Sequence, residues 1–148
     1  MIFGKKGCYL NEKEHSHVTS FGYELIRDHV LTSILGKHEK DILYWAGKDL
    51  ARKFPLYSME EAVTFFNEAG WGTLLLEKTT KDSAFYTLST YNLPQSGQSR
   101  SHRLEAGFLA EQQQKLTGYL TECYDEEVKK NGLVSLQIKW DSKTRVTG

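Results

Sequence analysis

The hydrophobic residues of this chain change their spacing at Trp71-Gly72. Between residues 20 and 70 they recur every three or four positions, as on one side of a helix. After Trp71-Gly72 they form short runs that are rich in aromatic and β-branched residues, which favour strands. A chain that is first helical and then largely extended is expected to fold as an α+β domain.

The first predicted helix, 20–36, carries two apolar stripes. One stripe consists of Tyr23, Ile26, Val30 and Ile34, and the other, on roughly the opposite side of a helical wheel, consists of Phe21, Leu25, Leu31 and Leu35. A helix that is apolar on two sides has to be covered on both. Either it lies in the middle of the domain, or one side packs against a partner chain.

Two further helices are predicted before the change of spacing. One runs from about residue 38 to residue 54 and ends before Pro55, because proline cannot continue a helix. Gly47 in its interior costs ~1 kcal/mol relative to Ala, so we expect a close backbone contact there. The other helix begins at a capping box, in which Ser58 caps the amide of Glu61 and the Glu61 carboxylate returns the hydrogen bond.

The second half of the chain predicts two hairpins joined by a helix. The predicted elements are a strand at 74–76, a turn at 81–83, a strand at 84–91, a loop at 92–101, a helix that ends at Thr117, a strand at 119–124, a turn at Asn131-Gly132 and a strand at 134–140. The expected architecture is a four-stranded antiparallel sheet from two hairpins, with about four helices packed against it.

In the last strand apolar and polar residues alternate, which predicts one face against the helices and one face away from them. The residues expected to face the helices are Val134, Leu136, Ile138 and Trp140, and those expected to face away are Ser135, Gln137 and Lys139.

A length of 148 residues is typical of a single domain. We predict an N-terminal tail or arm at 1–19, a single α+β domain at 20–141 and a C-terminal tail at 142–148. The sequence contains no internal repeat and no long linker that would divide this domain.

Charge and targeting signals limit the partners and the compartment. Lys and Arg number 19 and Asp and Glu number 19, whereas proteins that bind nucleic acids usually have a basic excess. The first residues lack the apolar core of a signal peptide, and no apolar run reaches the ~18 residues that span a bilayer. We therefore expect a cytoplasmic protein with no membrane span, no nucleic-acid partner and reduced thiols at Cys8 and Cys123.

No constellation of residues predicts catalysis. His15 and His17 could bind a metal, but a third ligand at suitable spacing is missing, so they are interpreted as tail residues. Cys123 is interpreted as a small buried hydrophobe rather than a nucleophile. The run 125–127 and the pair 129–130 are interpreted as a solvated hairpin rim. The sequence therefore predicts no enzyme, no metal site and no cofactor.

Four stretches together resemble a known family. They are 21–27 (FGYELIR), 42–51 (ILYWAGKDLA), 65–72 (FFNEAGWG) and 104–110 (LEAGFLA). Over about residues 20–140 the chain resembles the uncharacterised bacterial YslB family. More distantly it is similar to the vinyl-reductase-type ligand-binding domains and to the Bet-type subunits of the TRAPP Golgi tethering complex.

This resemblance implies the TRAPP Bet-like fold, also described as the NO-signalling and Golgi-transport ligand-binding fold. Its members have helices against a four-stranded antiparallel sheet, are often dimeric through helices, and can enclose an apolar channel. Glu122-Cys123 resembles a glutamate-and-cysteine strand of the vinyl-reductase-type domains, but Ser135 stands where those domains tend to carry a second cysteine. Glu111 stands where a second helix glycine is common, which implies either a crowded helix contact or a carboxylate at its edge.

Two functions remain open. The first is a non-catalytic domain that binds a small hydrophobic ligand in an apolar channel, a function that the 12% aromatic content and the resemblance favour. The alternative is a protein–protein assembly module with a solid core, since most aromatic residues occupy core positions. The candidate walls of a channel are Phe21, Leu25, Trp45, Leu50, Phe66 and Phe108. We also expect a homodimer, whose candidate interface residues are Phe21, Leu25, Leu31 and Leu35.

Overall fold

The structure, a computed structural model, describes residues 19–90, 100–128 and 133–146. Several predictions fall outside these ranges. They concern residues 1–18 with Cys8, His15 and His17, most of the 92–101 loop, the pair 129–130, and the Asn131-Gly132 turn.

Within the described ranges, the helical part of the domain consists of four helices and one 3₁₀ turn. Helix α1 has three consecutive segments, α-helical Ser20–Glu24, π-helical Leu25–Val30 and α-helical Leu31–Leu35. The 3₁₀ turn Gly36–His38 leads into α2 (Glu39–Lys53), and α3 (Glu61–Glu68) and α4 (Arg103–Thr117) follow. Gly118 ends α4 in the left-handed conformation, with φ of 81°, which glycine adopts without a steric cost.

Four strands in the described part of the chain form one antiparallel sheet. They are β1 (Thr73–Thr79), β2 (Ser83–Ser89), β3 (Tyr119–Val128) and β4 (Leu133–Arg145). Their order in the sheet is β1-β2-β4-β3, so each hairpin pairs internally and β2 joins the hairpins by pairing with β4. The predicted α+β architecture, with two hairpins and helices against the sheet, is confirmed.

The predicted register of β4 is also confirmed. Val134, Leu136 and Ile138 are buried, whereas Ser135 and Gln137 between them are half-buried. Lys139 is exposed, and Trp140 is partly buried against the core. The alternation of apolar and polar residues is therefore sufficient to fix which face of this strand meets the helices.

Strand β4 is longer than predicted and includes residues 142–145 of the expected tail. Across a register shift in β3, Tyr119 pairs with Arg145. The Val146 amide also donates to the Gly118 carbonyl at 2.9 Å. These backbone bonds join residues that lie far apart in the sequence, so the exposed, polar residues of this segment gave no local signal for a strand.

The predicted capping box of α3 is wrong in its partners. The Glu61 amide donates to the backbone carbonyl of Ser58 at 3.2 Å rather than to its hydroxyl. The Glu61 carboxylate accepts from the amide of Tyr57 at 2.9 Å, one residue before the predicted partner. Glu60 already has helical dihedrals, with φ of −61° and ψ of −30°. The turn before α3 therefore satisfies the Glu61 amide through the backbone.

The core between helices and sheet is built around an aromatic cluster. Phe65 stacks on Phe108 with a centroid distance of 4.4 Å, and Trp71 meets Phe66 edge to face at 4.9 Å. Trp71 and Phe108 are 5.5 Å apart, also edge to face. These separations are typical of attractive aromatic pairs. The cluster fills the space between α3, α4 and the start of β1.

Helices α2 and α4 are in backbone contact. A Cβ added at Gly47 would collide with the carbonyl oxygen of Leu104, and one at Gly107 would collide with the carbonyl oxygen of Tyr44. The close contact predicted at Gly47 is confirmed. The Glu111 carboxylate accepts a hydrogen bond from Arg52 Nε at 3.3 Å. Of the two alternatives for Glu111, a crowded helix contact and a carboxylate at the edge of the contact, the structure shows the second.

Candidate functional site

The outward side of α1 is apolar. We call its five exposed apolar residues the outer α1 surface: Phe21, Leu25, Ile26, Val30 and Ile34. The most exposed are Phe21 at 65% and Ile34 at 73%. Such a row of large apolar side chains on one helix marks a candidate contact surface.

This arrangement corrects the predicted pair of opposite stripes on α1. In an uninterrupted α-helix each residue advances by about 100°, which would leave Phe21 and Ile34 about 140° apart. The segment Leu25–Val30 is π-helical and uses more residues for each turn. Members of both predicted stripes are therefore exposed together, while Leu31 and Leu35 are half-buried.

The inward side of α1 carries its charged residues. Glu24, Arg27 and Asp28 are buried, and they are the only Asp, Glu, Lys or Arg residues of Ser20–Leu35. Soluble helices usually have the opposite distribution, with apolar residues inside and charges outside. Helix α1 is therefore attached to its own domain largely through polar contacts.

Arg27 makes the most buried of these contacts. Its Nη2 donates to Glu105 Oε1 at 2.7 Å and to the Ser101 carbonyl at 2.9 Å, and its Nη1 donates to Tyr23 Oη at 2.6 Å. Burial by itself lowers the pKa of Arg27, but the Glu105 carboxylate and Tyr23 outweigh it and raise that pKa above its usual value. The guanidinium therefore stays charged inside the protein.

Asp28 forms the second link, to Arg100. Arg100 Nε and Nη2 donate to the two carboxylate oxygens of Asp28 at 2.8 and 2.7 Å, a bidentate geometry that combines strength with fixed orientation. The Arg100 guanidinium also lies 5.2 Å from the centroid of the Tyr23 ring. Together the two ion pairs fix α1 against the start of α4.

A second candidate site lies where α2 and α4 begin. It is a cleft of about 360 Å³, which we call the polar cleft, and its lining residues are Glu39, Lys40, Arg100, Ser101, His102, Arg103, Asp125 and Val134. Clefts of this volume are typical of small-molecule sites.

His102 is the unusual group in the wall of the polar cleft. The residue is 6% exposed, and its buried Nε2 atom has no hydrogen-bond partner among the described residues. Burial lowers the pKa of His102 below its usual value, although Glu105 partly opposes this effect. The ring is therefore neutral at neutral pH, with one nitrogen that carries a proton and one that does not.

Arg103 connects the polar cleft to strand β3. Its Nη1 donates to Asp125 Oδ1 at 2.8 Å, and its guanidinium lies 4.2 Å from the Tyr44 ring centroid. Glu126 is exposed, as expected for a solvated hairpin rim, whereas Asp125 is half-buried, so that interpretation is wrong for Asp125. The interpretation of Asp125 used only the charged residues next to it in the sequence. Its partner Arg103 belongs to α4, which the neighbouring residues of β3 do not identify.

Cys123 is not chemically activated. Its side chain is buried, and burial raises the pKa of its thiol far above the usual value, so the reactive thiolate is disfavoured. Its backbone amide donates to Tyr44 Oη at 3.1 Å. Among the described residues, no group of three His, Cys, Asp or Glu side chains is arranged to bind a metal ion.

The six predicted channel residues do not line one space. Phe66 and Phe108 meet in the aromatic cluster, with centroids 6.1 Å apart, and Leu50 packs against the same core. Phe21, Leu25 and Trp45 instead lie on the outer surfaces of α1 and α2. Of the four predicted interface residues, Phe21 and Leu25 belong to the outer α1 surface, and Leu31 and Leu35 do not.

The residues of the polar cleft and the ion pairs of α1 were not predicted from the sequence. One signal was available: Glu24, Arg27 and Asp28 follow one another at helical spacing and so share a face of α1. Glu24 contacts the neighbouring His29 at 3.5 Å. The partners of Arg27 and Asp28, which are Glu105 and Arg100, lie more than 70 positions away in the sequence, and nothing local identifies them.

Comparison with known proteins identifies relatives of the chain. The family described as "Protein of unknown function (DUF2507)" matches residues 20–139. The uncharacterized protein YslB of Bacillus subtilis (strain 168) is 42% identical over 132 residues, which span 87% of this chain and 89% of that protein. The predicted resemblance to the YslB family is confirmed.

Two solved structures are also similar. A vinyl-4-reductase family protein from Methanocaldococcus jannaschii has a TM-score of 0.55 and 19% identity, with 68% of each chain covered. The Fe(II) unliganded H-NOX protein from K. algicida has a TM-score of 0.39 and 14% identity, with 93% of this chain and 72% of that chain covered. At this identity the first likeness concerns the fold alone. In the described ranges, no helix is long and apolar enough to cross a membrane.

Proposed function

The chain belongs to the DUF2507 family of proteins of unknown function, and we propose that it acts as a protein–protein assembly module that forms a homodimer. The outer α1 surface of one copy packs against the outer α1 surface of a second copy. The observation that carries this proposal is the inverted polarity of α1, which exposes its large apolar side chains and buries its ion pairs.

The exposed apolar area supports a contact between two copies. The five side chains of the outer α1 surface expose on the order of 500 Å², compared with about 800 Å² that each partner contributes to a standard interface. Ile42 and Trp45 on α2 are also exposed. Burial of apolar surface is favourable by roughly 25 cal/mol per Å², so a partner that covers α1 stabilises the protein.

The scarcity of charge favours a second copy as the partner. The exposed titratable residue of Ser20–Leu35 is His29, whose ring lies 3.5 Å from the Glu24 carboxylate. In a two-fold interface each residue approaches the same surface on the other copy, so exposed ionised groups near the axis would repel their own images. None of the Asp, Glu, Lys and Arg residues of Ser20–Leu35 is exposed. The net charge of the whole sequence is also zero, which minimises long-range repulsion between copies.

The assembly function is supported better than an apolar channel. A channel formed by the six predicted residues would need them to surround one space, whereas three of them are exposed on helix surfaces. Phe66 and Phe108 contact other aromatic rings directly. A solid aromatic core is consistent with a module whose contacts lie on its outside.

Sedimentation velocity on matched variants tests the dimer. We expect wild-type protein to sediment as a dimer at ~20 µM, since micromolar affinity is common for specific interfaces. The variant Ile26→Glu should sediment as a folded monomer, because dimerisation would bury an unpaired charge. Leu31 is unsuitable for this test because it is half-buried in its own domain, where a charge would also affect folding.

The control is Leu75→Glu on β1. Leu75 is 57% exposed and Ile26 is 56% exposed, so the two substitutions change equally exposed apolar residues. The control variant should remain dimeric. A monomeric wild type, or a folded Ile26→Glu variant that is still dimeric, would refute the proposed interface.

A further inference from the structure

We propose that His102 is a pH-sensitive switch that controls the attachment of α1 to the rest of the domain. Uptake of a proton by its ring at mildly acidic pH releases α1 from the start of α4. The switch belongs to each chain by itself, so it does not depend on the dimer proposed above. In a dimer, the same release would disturb the contact between the two outer α1 surfaces.

The two residues before His102 hold α1 in place. Arg100 Nε and Nη2 donate to the two carboxylate oxygens of Asp28 in α1. The Ser101 carbonyl accepts from Arg27 Nη2 of α1 at 2.9 Å. A displacement of the His102 ring and its backbone would therefore move groups that bind Arg27 and Asp28.

His102 is buried in a way that suits only its neutral form. The residue is 6% exposed, and among the described residues its buried Nε2 atom has no hydrogen-bond partner. A protonated imidazole has two N–H groups to satisfy, and a buried charge that lacks partners is costly. The attached arrangement of α1 therefore favours the neutral ring.

The charges around His102 are already balanced. Three arginines each pair with one carboxylate, in the pairs Arg27–Glu105, Arg100–Asp28 and Arg103–Asp125. At the start of α2, Glu39 and Lys40 line the same cleft with one charge of each sign. A proton on His102 would therefore add a positive charge to surroundings whose described charges sum to zero.

These surroundings also give the direction of the pH effect. Burial lowers the pKa of His102 below its usual value, and Arg27 and Arg100 act in the same direction, whereas Glu105 and Asp125 oppose them. A histidine released into water titrates near pH 6.5, about two units above ordinary carboxyl groups. The released form therefore binds the proton more tightly, so α1 stays attached above about pH 6.5 and is released increasingly below it.

Hydrogen exchange of the full chain, followed by mass spectrometry, tests the switch. After correction for the intrinsic exchange rate, the protection of residues 20–35 should fall ~10-fold between about pH 7.5 and pH 5.5, since release takes up one proton. Because only α1 opens, these amides should exchange faster than those of β4 and depend less on added urea. Equal exchange rates and equal urea dependence in α1 and β4 would mean global unfolding and would overturn the switch.

Histidine variants identify the residue that titrates. His102→Phe and His102→Gln have no ionisable ring, so the protection of residues 20–35 should change less than ~2-fold over the same pH range. The matched control is His29→Gln, because His29 is exposed on α1 itself and lies 3.5 Å from the Glu24 carboxylate. This control should keep the ~10-fold loss of protection.

Three results would overturn His102 as the switch. They are a wild type whose protection does not fall, a His102 variant that keeps the full loss, and a His29→Gln variant that no longer shows it. If one His102 variant does not fold, the other decides. If neither folds, the wild type and His29→Gln still distinguish release of α1 from global unfolding.

The same measurement in Ile26→Glu separates the switch from the dimer. In this variant, designed to be monomeric, residues 20–35 should lose protection with falling pH as they do in the wild type. A pH effect that is absent from Ile26→Glu would arise from dissociation of two copies, and the switch within one chain would be refuted. A wild type that sediments as a monomer leaves these expectations unchanged.

Discussion

At Arg27 the domain buries a full positive charge, and its side chain and that of Glu105 are 3% and 2% exposed. Removing two charges from water is costly, and only good geometry with further hydrogen bonds compensates for it. Arg27 has both, since it also donates to Tyr23 and to the Ser101 carbonyl. The pair therefore serves to orient α1 more than to add stability.

This interpretation predicts that removing one charge of the pair destabilises the domain more than removing both. Glu105→Leu alone should lower the free energy of unfolding by ~3–5 kcal/mol, because it leaves the Arg27 guanidinium buried and uncompensated. The double variant Arg27→Met/Glu105→Leu should recover most of that loss, because neither buried charge remains. Urea denaturation monitored by circular dichroism measures both values.

An exposed ion pair provides the control for this comparison. Lys53 and Asp49 are 3.0 Å apart, with side chains 65% and 37% exposed. Lys53→Met should change stability by less than ~1 kcal/mol. If Glu105→Leu is as mild as this control, the Arg27–Glu105 pair does not hold α1 in place.

Among the elements, the pair α2 and α4 depends most closely on two residues. Gly47 and Gly107 allow the two backbones to touch, and any added Cβ would meet backbone atoms of the facing helix. Backbone atoms cannot rotate away as a flexible side chain can, so the helices would have to separate.

We therefore predict that Gly47→Ala destabilises the domain. In an isolated helix this substitution gains ~1 kcal/mol from helix propensity. Here the gain should be exceeded by overpacking, and we expect a net loss of ~1–3 kcal/mol. Thermal or urea unfolding checks the sign. Thr64→Ala, at an exposed position of α3, is the control and should stay within ~0.5 kcal/mol of wild type. A stabilised Gly47→Ala protein would show that the contact can relax.

For the whole molecule, the proposed dimer links stability to concentration. A partner that binds only the folded chain raises the apparent stability by mass action. We expect the Tm of the wild type to rise when the protein concentration is raised about 100-fold, and the Tm of Ile26→Glu to stay constant. Differential scanning fluorimetry over this range measures both. A wild-type Tm that does not change with concentration would contradict an interface that contributes to stability.

Much of the fold could be predicted because apolar spacing reflects local geometry. The sheet with two hairpins, the register of Leu136 and the close contact at Gly47 all followed from periodicity or from a single residue type. The end of β4 could not be predicted in this way, since Tyr119 and Arg145 pair through backbone groups that every residue has. The partners of Glu61 at the start of α3 depend on a turn geometry that the capping pattern does not specify.

The candidate sites were less predictable than the fold. The sequence by itself determined that α1 is apolar on more than one side and has to be covered, either within its own domain or by a partner chain. Only the tertiary structure decided which side of α1 faces outward, because the π-helical segment Leu25–Val30 changes the register of the side chains. It likewise decided that the charges of α1 face inward, since Arg27 and Asp28 find their partners on a segment more than 70 residues away. Local spacing determines an element, whereas a buried ion pair or a cleft forms only when distant elements meet.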